Sequence, residues 1–416
     1  MERDRGRCGS LHRRLSGNGG THASPRSRMI YLDNHATTPC DPRVLAEMLP
    51  WFTERFGNAG SVEHGMGRDA AAAVEAARMQ VAALIGASAS EIIFTSGATE
   101  SNNLSILGAA RFARSMGDNR RRIITLVTEH HAVLDPVMAL ADEGFEPVVL
   151  PVQPNGLLDP DVLAEALTVP TLLVSIMAVN NEIGVVQDLA GLGRLVKAAG
   201  AGFHVDAAQA AGRFALDIGQ IPADLVSLSA HKMYGPKGIG ALYLRRRPRM
   251  RIAALVAGGG QERGLRSGTL AVPLIVAMGE AARLARTEGE AETLRIRAQT
   301  SRLLSLLLAG IPGLVLNGDA DNRVAGNLNL TFPQRGAAAI LADVPDLCLS
   351  SSSACTSAAD GSVGASHVLT AIGLSTEAAA RSLRIGLGRF TSDADIDLAA
   401  TQMIAAAQPG RAAAAD

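Results

Sequence analysis

The chain has 416 residues, 47% hydrophobic and 19% charged, with a formal net charge of -1 at pH 7. That length exceeds what one small core usually organises, so two domains are expected. A charge near zero gives no reason to expect nucleic acid or an anionic membrane as a partner. The most apolar stretch, around Leu172 to Val179, is far too short to span a bilayer.

Residues 1–28 are rich in Arg, Gly and Ser and poor in large apolar side chains, which predicts a disordered extension or a true start at Met29. From there, strand and helix signals alternate. Apolar spacing predicts a helix over Ala70 to Gly86, with Val74, Ala77, Val81 and Leu84/Ile85 on one face. A short strand at Glu91 to Thr95 leads into a helix from Thr99. Further strands are expected at Ile123–Val127, Pro147–Leu150, Leu172–Met177, Gly202–Val205, Leu225–Ser229 and Ala241–Leu244. Such alternation predicts a mostly parallel sheet covered on both faces. The pattern changes near Glu288: a long helix to about Ala309, strands near Leu328–Phe332 and Leu347–Ser350, then two helices. A large domain over 29–288 and a smaller α+β domain over 289–408 follow.

Several strand ends carry reactive residue types. There are only three lysines, Lys197, Lys232 and Lys237, and arginine stays protonated, so a neutral amine must come from these three. Lys232 ends the Leu225–Ser229 strand in Ser229-Ala230-His231-Lys232, where a lysine can form a Schiff base and Ser229 and His231 can bind an anion. Asp206 ends another strand and is placed either to hold a protonated ring nitrogen or to cap a helix; Gln209 could donate to a ring oxygen. The turn from Thr95 to Glu100 presents the N–H groups of Ala98 and Thr99 to a phosphate, or forms an ordinary capping box. His130 could stack on an aromatic ring, and Asn181 offers an amide.

The four cysteines (Cys8, Cys40, Cys348, Cys355) lack C-x-x-C pairing and read as thiols of a reducing cytoplasm. Cys355 stands apart in a small polar stretch, Leu349 to Ser357, suited to a nucleophilic thiolate. An inert surface thiol is the competing reading.

Together, YLDNHATTP, FTSGATESNN, TEHHAVLD, VNNEIGVVQD, HVDAAQ, SAHKMYGPKGIGALY, GGGQERGLRSGT, SSACTSA and LRIGLGRFT resemble the cysteine desulfurases of the class V aminotransferase group, from Ile30 to about Ala407. The resemblance implies the fold type I of pyridoxal 5′-phosphate (PLP) enzymes. It implies Lys232 as the lysine that takes the cofactor aldehyde, Asp206 at the pyridine nitrogen, Gln209 at the phenolic oxygen and His130 on the ring. Ala98, Thr99, Ser229 and His231 would hold the phosphate, with Thr269 reaching in from the second subunit of a homodimer. Asn181 and Arg384 would bind the substrate carboxylate, with Asn34 and His35 nearby. L-cysteine would be the substrate and Cys355 the persulfide carrier, delivering to an iron–sulfur scaffold or thiolation protein. No resident metal is implied, although Cys355 is able to ligate an iron–sulfur cluster transiently.

The chain departs from the family at Ser352, where glycine is common, and at Arg323 to Asn327, and it continues only briefly past Gln408. Longer-tailed members use that region to dock the scaffold, so the acceptor stays open. Selenocysteine cleavage, another class V reaction such as transamination, and a non-catalytic scaffold are the rivals. The loop cysteine counts against transamination, and retention of Lys232, Asp206 and Cys355 against a scaffold.

Overall fold

The computed structural model describes residues 29–248, 250–351 and 366–408. The 1–28 extension, Cys8, Ser352 and Cys355 lie outside these residues. Thirteen strands are described: β1 (Ile30–Tyr31), β2 (Ile92–Thr95), β3 (Arg122–Leu126), β4 (Glu146–Leu150), β5 (Thr171–Met177), β6 (Gly202–Asp206), β7 (Leu225–Ser229), β8 (Gly240–Leu244), β9 (Val315–Leu316), β10 (Asn327–Thr331), β11 (Leu347–Cys348), β12 (Ser350–Ser351) and β13 (Ser382–Gly386).

Seven of them form the main sheet in the order β2-β8-β7-β6-β5-β3-β4. All run parallel except β8, which is antiparallel to both neighbours. The mostly parallel sheet matches expectation, and the exception has a local cause. The connection 230–239 is too short for a crossover helix, so the chain must return beside β7 as a hairpin. Every residue of β5 is buried, as a Leu/Val/Ile-rich strand covered on both faces requires.

The helix predicted from Ala70 runs over Gly65–Leu84, and His64 caps it by accepting from Gly67 N at 3.1 Å. Val74, Ala77 and Val81 do face the core. The long helix expected after Glu288 already begins at Val272 and continues unbroken to Gly310. Its first half packs in the core under the main sheet and its second half in a separate core with Leu328, Leu330, Ile385 and Met403.

Two features lay beyond the sequence reading. Strand β13, paired with β10 and β12, carries Arg384. Strand β1 pairs with β11, so Ile30 and Leu32 from the start of the described chain join the C-terminal core.

Candidate active site

The carboxyl ends of β2, β3, β5, β6 and β7 open on one cavity of about 500 Å³, the place where ligands of such sheets bind. Ala98, Thr99, His130, Asn181, Asp206, Gln209, Ser229, His231, Lys232 and Arg384 all line it. The fold thus brings together most of the residues expected from sequence.

Asp206, at the tip of β6, is buried. One carboxylate oxygen accepts from Ala208 N at 2.9 Å and the other from Asn102 Nδ2 at 2.7 Å. The cap-like bond and a cavity-facing acid are therefore not alternatives, since one side chain provides both. Asn102 escaped the sequence reading. It lies on the buried face of the helix Ala98–Ser115, and a polar residue at a core position is the signal that could have found it.

That helix starts where β2 ends. Its N-cap is Gly97, at φ 154°, with no side chain to cap the first turn. Neither Ser96 nor Thr99 forms the capping box; Glu100 instead accepts from Ser96 N at 2.7 Å. A Cβ on Gly240 would meet Gly97 Cα at 2.6 Å, so two glycines let β8 press against the helix start. Donors at Ala98 and Thr99 together with Ser229 and His231 make this end suited to an anion. His231 contacts Thr37 Oγ1 through Nδ1 at 3.1 Å, and burial, with Lys232 and Lys237 nearby, lowers its pKa to about 4.

Lys232 Nζ donates to His35 O at 2.6 Å and Ala36 O at 2.8 Å. Gln209 Nε2 donates to the same His35 carbonyl at 2.8 Å, while its Oε1 meets His35 Nδ1 at 3.1 Å. The amide oxygen can only accept, so the imidazole proton sits on Nδ1. Burial, with Arg213 and Arg384 adding to it, holds His35 neutral, far below the usual histidine pKa. His130 Nδ1 accepts from Ala132 N at 3.0 Å, which leaves its proton on Nε2. Burial lowers its pKa, against the opposing pull of Asp206.

Arg384 and Asn181 are in contact through the Asn181 carbonyl, which accepts from Arg384 Nη1 at 3.1 Å. The other terminal nitrogen is bound by Asp33 at 2.8 Å, a pair unseen in the sequence. Asn180 builds this turn, its Oδ1 accepting from Glu182 N at 2.9 Å and Ile183 N at 3.0 Å. Asn34 and Thr269 are placed elsewhere. The Asn34 amide donates to Gly386 O at 2.8 Å and does not line the cavity; Thr269 is exposed on a loop.

Two buried polar atoms here, His35 Nε2 and Asn102 Oδ1, have no partner among the described residues. Each such atom costs about 1–3 kcal/mol, which a polar ligand offsets. The donor set fits PLP: an amine for its aldehyde, an acid for its ring nitrogen and a helix N-terminus for its phosphate.

Beyond Asn181, Glu182 is buried and accepts from Ser366 Oγ at 2.6 Å. Burial raises its pKa from near 4.5 to about 7, partly offset by Ser366 and Arg384. The folded chain therefore holds this proton more tightly than the unfolded one. Its contribution to stability is complete below pH 4.5 and is lost as the pH rises through 7. Glu182→Gln, which keeps an acceptor for Ser366, is expected to raise Tm by several degrees at pH 8 and hardly at all at pH 5. Parallel Tm–pH curves for the two proteins would remove Glu182 as the source.

Residues 30–398 match the family model described as Aminotransferase class-V. The cysteine desulfurase IscS of Anaeromyxobacter sp. (strain Fw109-5) is 53% identical over 368 residues, 88% of this chain and 90% of that protein. The mitochondrial cysteine desulfurase of Arthroderma benhamiae is 53% identical over 371 residues, 89% of this chain and 73% of its own. A solved NifS-like protein superposes with a TM-score of 0.82 at 34% identity, covering 91% of this chain and 98% of its own. With this fold, this cavity and these relatives, the chain belongs to the class V aminotransferase family of PLP enzymes.

Proposed function

We propose that the chain is a cysteine desulfurase that converts L-cysteine to L-alanine and carries the sulfur as a persulfide on Cys355. The observation behind this reading is the convergence of Lys232, Asp206, the Ala98–Thr99 turn and the Arg384–Asn181 pair on one cavity. The similarity to desulfurases along most of the chain favours this reaction over transamination.

When bound, PLP supplies the electron sink that takes up the pair released at the substrate Cα. The protein does the rest. Arg384 and Asn181 hold the substrate carboxylate, the guanidinium exchanging Asp33 for the incoming anion. Lys232 Nζ, held at the His35 and Ala36 carbonyls, removes the Cα proton. Asp206 keeps the ring nitrogen protonated, with its own oxygens fixed by Asn102 and Ala208. His130, neutral and with its proton on Nε2, would hold the cofactor ring from one face. The Cys355 thiolate attacks the substrate sulfur, forming an S–S bond. The carbon keeps the electron pair of the broken C–S bond and, protonated, becomes the methyl group of alanine.

The finer assignments belong to the same proposal. Ala98, Thr99, Ser229 and His231 hold the phosphate, Gln209 the phenolic oxygen, and Asn34 supports the substrate site from behind Gly386. Residues 29–288 form the cofactor domain and 289–408 the domain that delivers Cys355. The enzyme works as a cytoplasmic homodimer that hands sulfur to an iron–sulfur scaffold or thiolation protein. Exposed Leu49, Phe52, Phe56 and Val62 support a subunit interface, and exposed Thr269 is free to serve a neighbouring site. No described helix is long and apolar enough to cross a membrane.

Cys355→Ser tests the reaction. The variant is expected to bind PLP and stay yellow, yet release neither alanine nor sulfide from cysteine and a reductant. Normal turnover would remove Cys355 as the sulfur acceptor.

A further inference from the structure

Two acid–arginine pairs tie down the segment that follows β8, one against β2 and one at the helix start beside the cavity. Buried Glu262 accepts from Phe94 N, Arg78 Nη1 and Arg78 Nη2, each at 2.7 Å, which fixes the segment against β2. Glu262 and Arg263 sit at φ 47° and 60°, a left-handed conformation that non-glycine residues hold only when their surroundings impose it.

Slightly further on, Arg266 Nε donates to Glu100 Oε1 at 2.9 Å and Nη2 reaches Oε2 at 3.4 Å. Glu100 lies in the first turn of the helix Ala98–Ser115 and lines the cavity beside Ala98 and Thr99. It is useful there, since it satisfies Ser96 N and complements the helix dipole. It is also a fixed negative charge beside the anion site, and like charges in a partly desolvated cleft repel strongly.

We propose that Arg266 is a positioning residue that cancels the Glu100 charge, so that the helix N-terminus can accept the phosphate of PLP. This rests on the phosphate assignment made above. The pair works as a unit: the acid organises the turn, and the arginine removes the penalty that the acid would otherwise impose on a dianion. Burial alone would raise the pKa of Glu100; Arg266 and Ser96 bring it below the usual value, so the carboxylate is charged and needs its counterion.

The test is a spectroscopic titration of the full chain, stripped of cofactor, with PLP and with pyridoxal, which lacks the phosphate. Arg266→Ala is expected to weaken PLP binding at least tenfold and pyridoxal binding less than threefold. Arg266→Lys, which keeps the charge, should stay within threefold of the parent for both. The double variant Glu100→Gln/Arg266→Ala should regain most of the lost PLP affinity, because the uncompensated charge is gone. Equal losses for PLP and pyridoxal, or a double variant as weak as Arg266→Ala, would overturn the proposal while leaving the cofactor site in place. A parent chain that prefers pyridoxal to PLP would overturn the phosphate assignment itself.

Discussion

Lys232→Ala is expected to give a folded, colourless protein with turnover reduced about 10³-fold or more, because in the proposed mechanism one amine is both cofactor anchor and proton acceptor. No other side chain can take over. Arginine stays protonated, and Lys197 is engaged with Asp224 at the far end of the sheet. Lys237 does line the cavity, so it is the control: Lys237→Ala should keep the colour. The distinction rests on position. Lys232 Nζ is held by the carbonyls of His35 and Ala36, beside the Gln209–His35 bonds, whereas Lys237 follows Pro236 on the loop toward β8. Lys232→Arg should also be colourless, which separates lost chemistry from lost contacts. Absorbance of the purified proteins and alanine release decide it; a yellow, active Lys232→Ala protein would move the anchor to Lys237.

The second large effect is expected at Asp206. Asp206→Asn should lower kcat about 10²–10⁴-fold while PLP remains bound, because an amide cannot keep the ring nitrogen protonated. The structure adds a second cost. Both carboxylate oxygens accept, one from Asn102 Nδ2 and one from Ala208 N, and an amide has only one oxygen to offer them. One buried donor is then unmatched, worth about 1–3 kcal/mol. Asn102→Ala should be much milder, near tenfold, since the charge on Asp206 survives. Comparing bound absorbance with alanine release separates rate from occupancy. Asp206→Asn turning over at the parental rate would exclude the ring-nitrogen role.

The large sheet was legible because its strands are short buried runs between amphipathic helices, and β7 matches its expected bounds. Lys232, Asp206, Thr99 and His130 were legible for a related reason: each follows a strand, and strand ends of a parallel sheet share one edge. The partners of those residues were not. Asn102, Asp33 and Arg266 act across 104, 351 and 166 residues of chain, and no local pattern encodes such pairings. Strand β13 was missed because Ser382, Arg384 and Gly386 alternate with its two apolar residues, so no apolar run marked a buried strand, and Arg384 was identified only through its motif. Glu182 gave no warning either, since an acid in a turn normally faces solvent; only the packing of Ser366 against it reveals a buried proton site. Cys355, whose polar neighbours set it apart in the sequence, lies outside the described residues.

The pairing of β1 with β11 has a consequence for how the protein is made. The strand is among the first of the described residues to leave the ribosome, but its partner comes near the end, and Asn34 waits for a carbonyl 352 residues later. The carbonyls that hold Lys232 sit immediately after that strand. Contacts this distant along the chain form late, because closing so long a loop must precede any gain from the contact. A nascent chain can therefore complete its main sheet with Lys232 in place before β1 has its partner strand or Asn34 its carbonyl. A chain cut off before β11 would carry Lys232 and the carbonyls that hold it, but neither the partner strand of β1 nor Arg384.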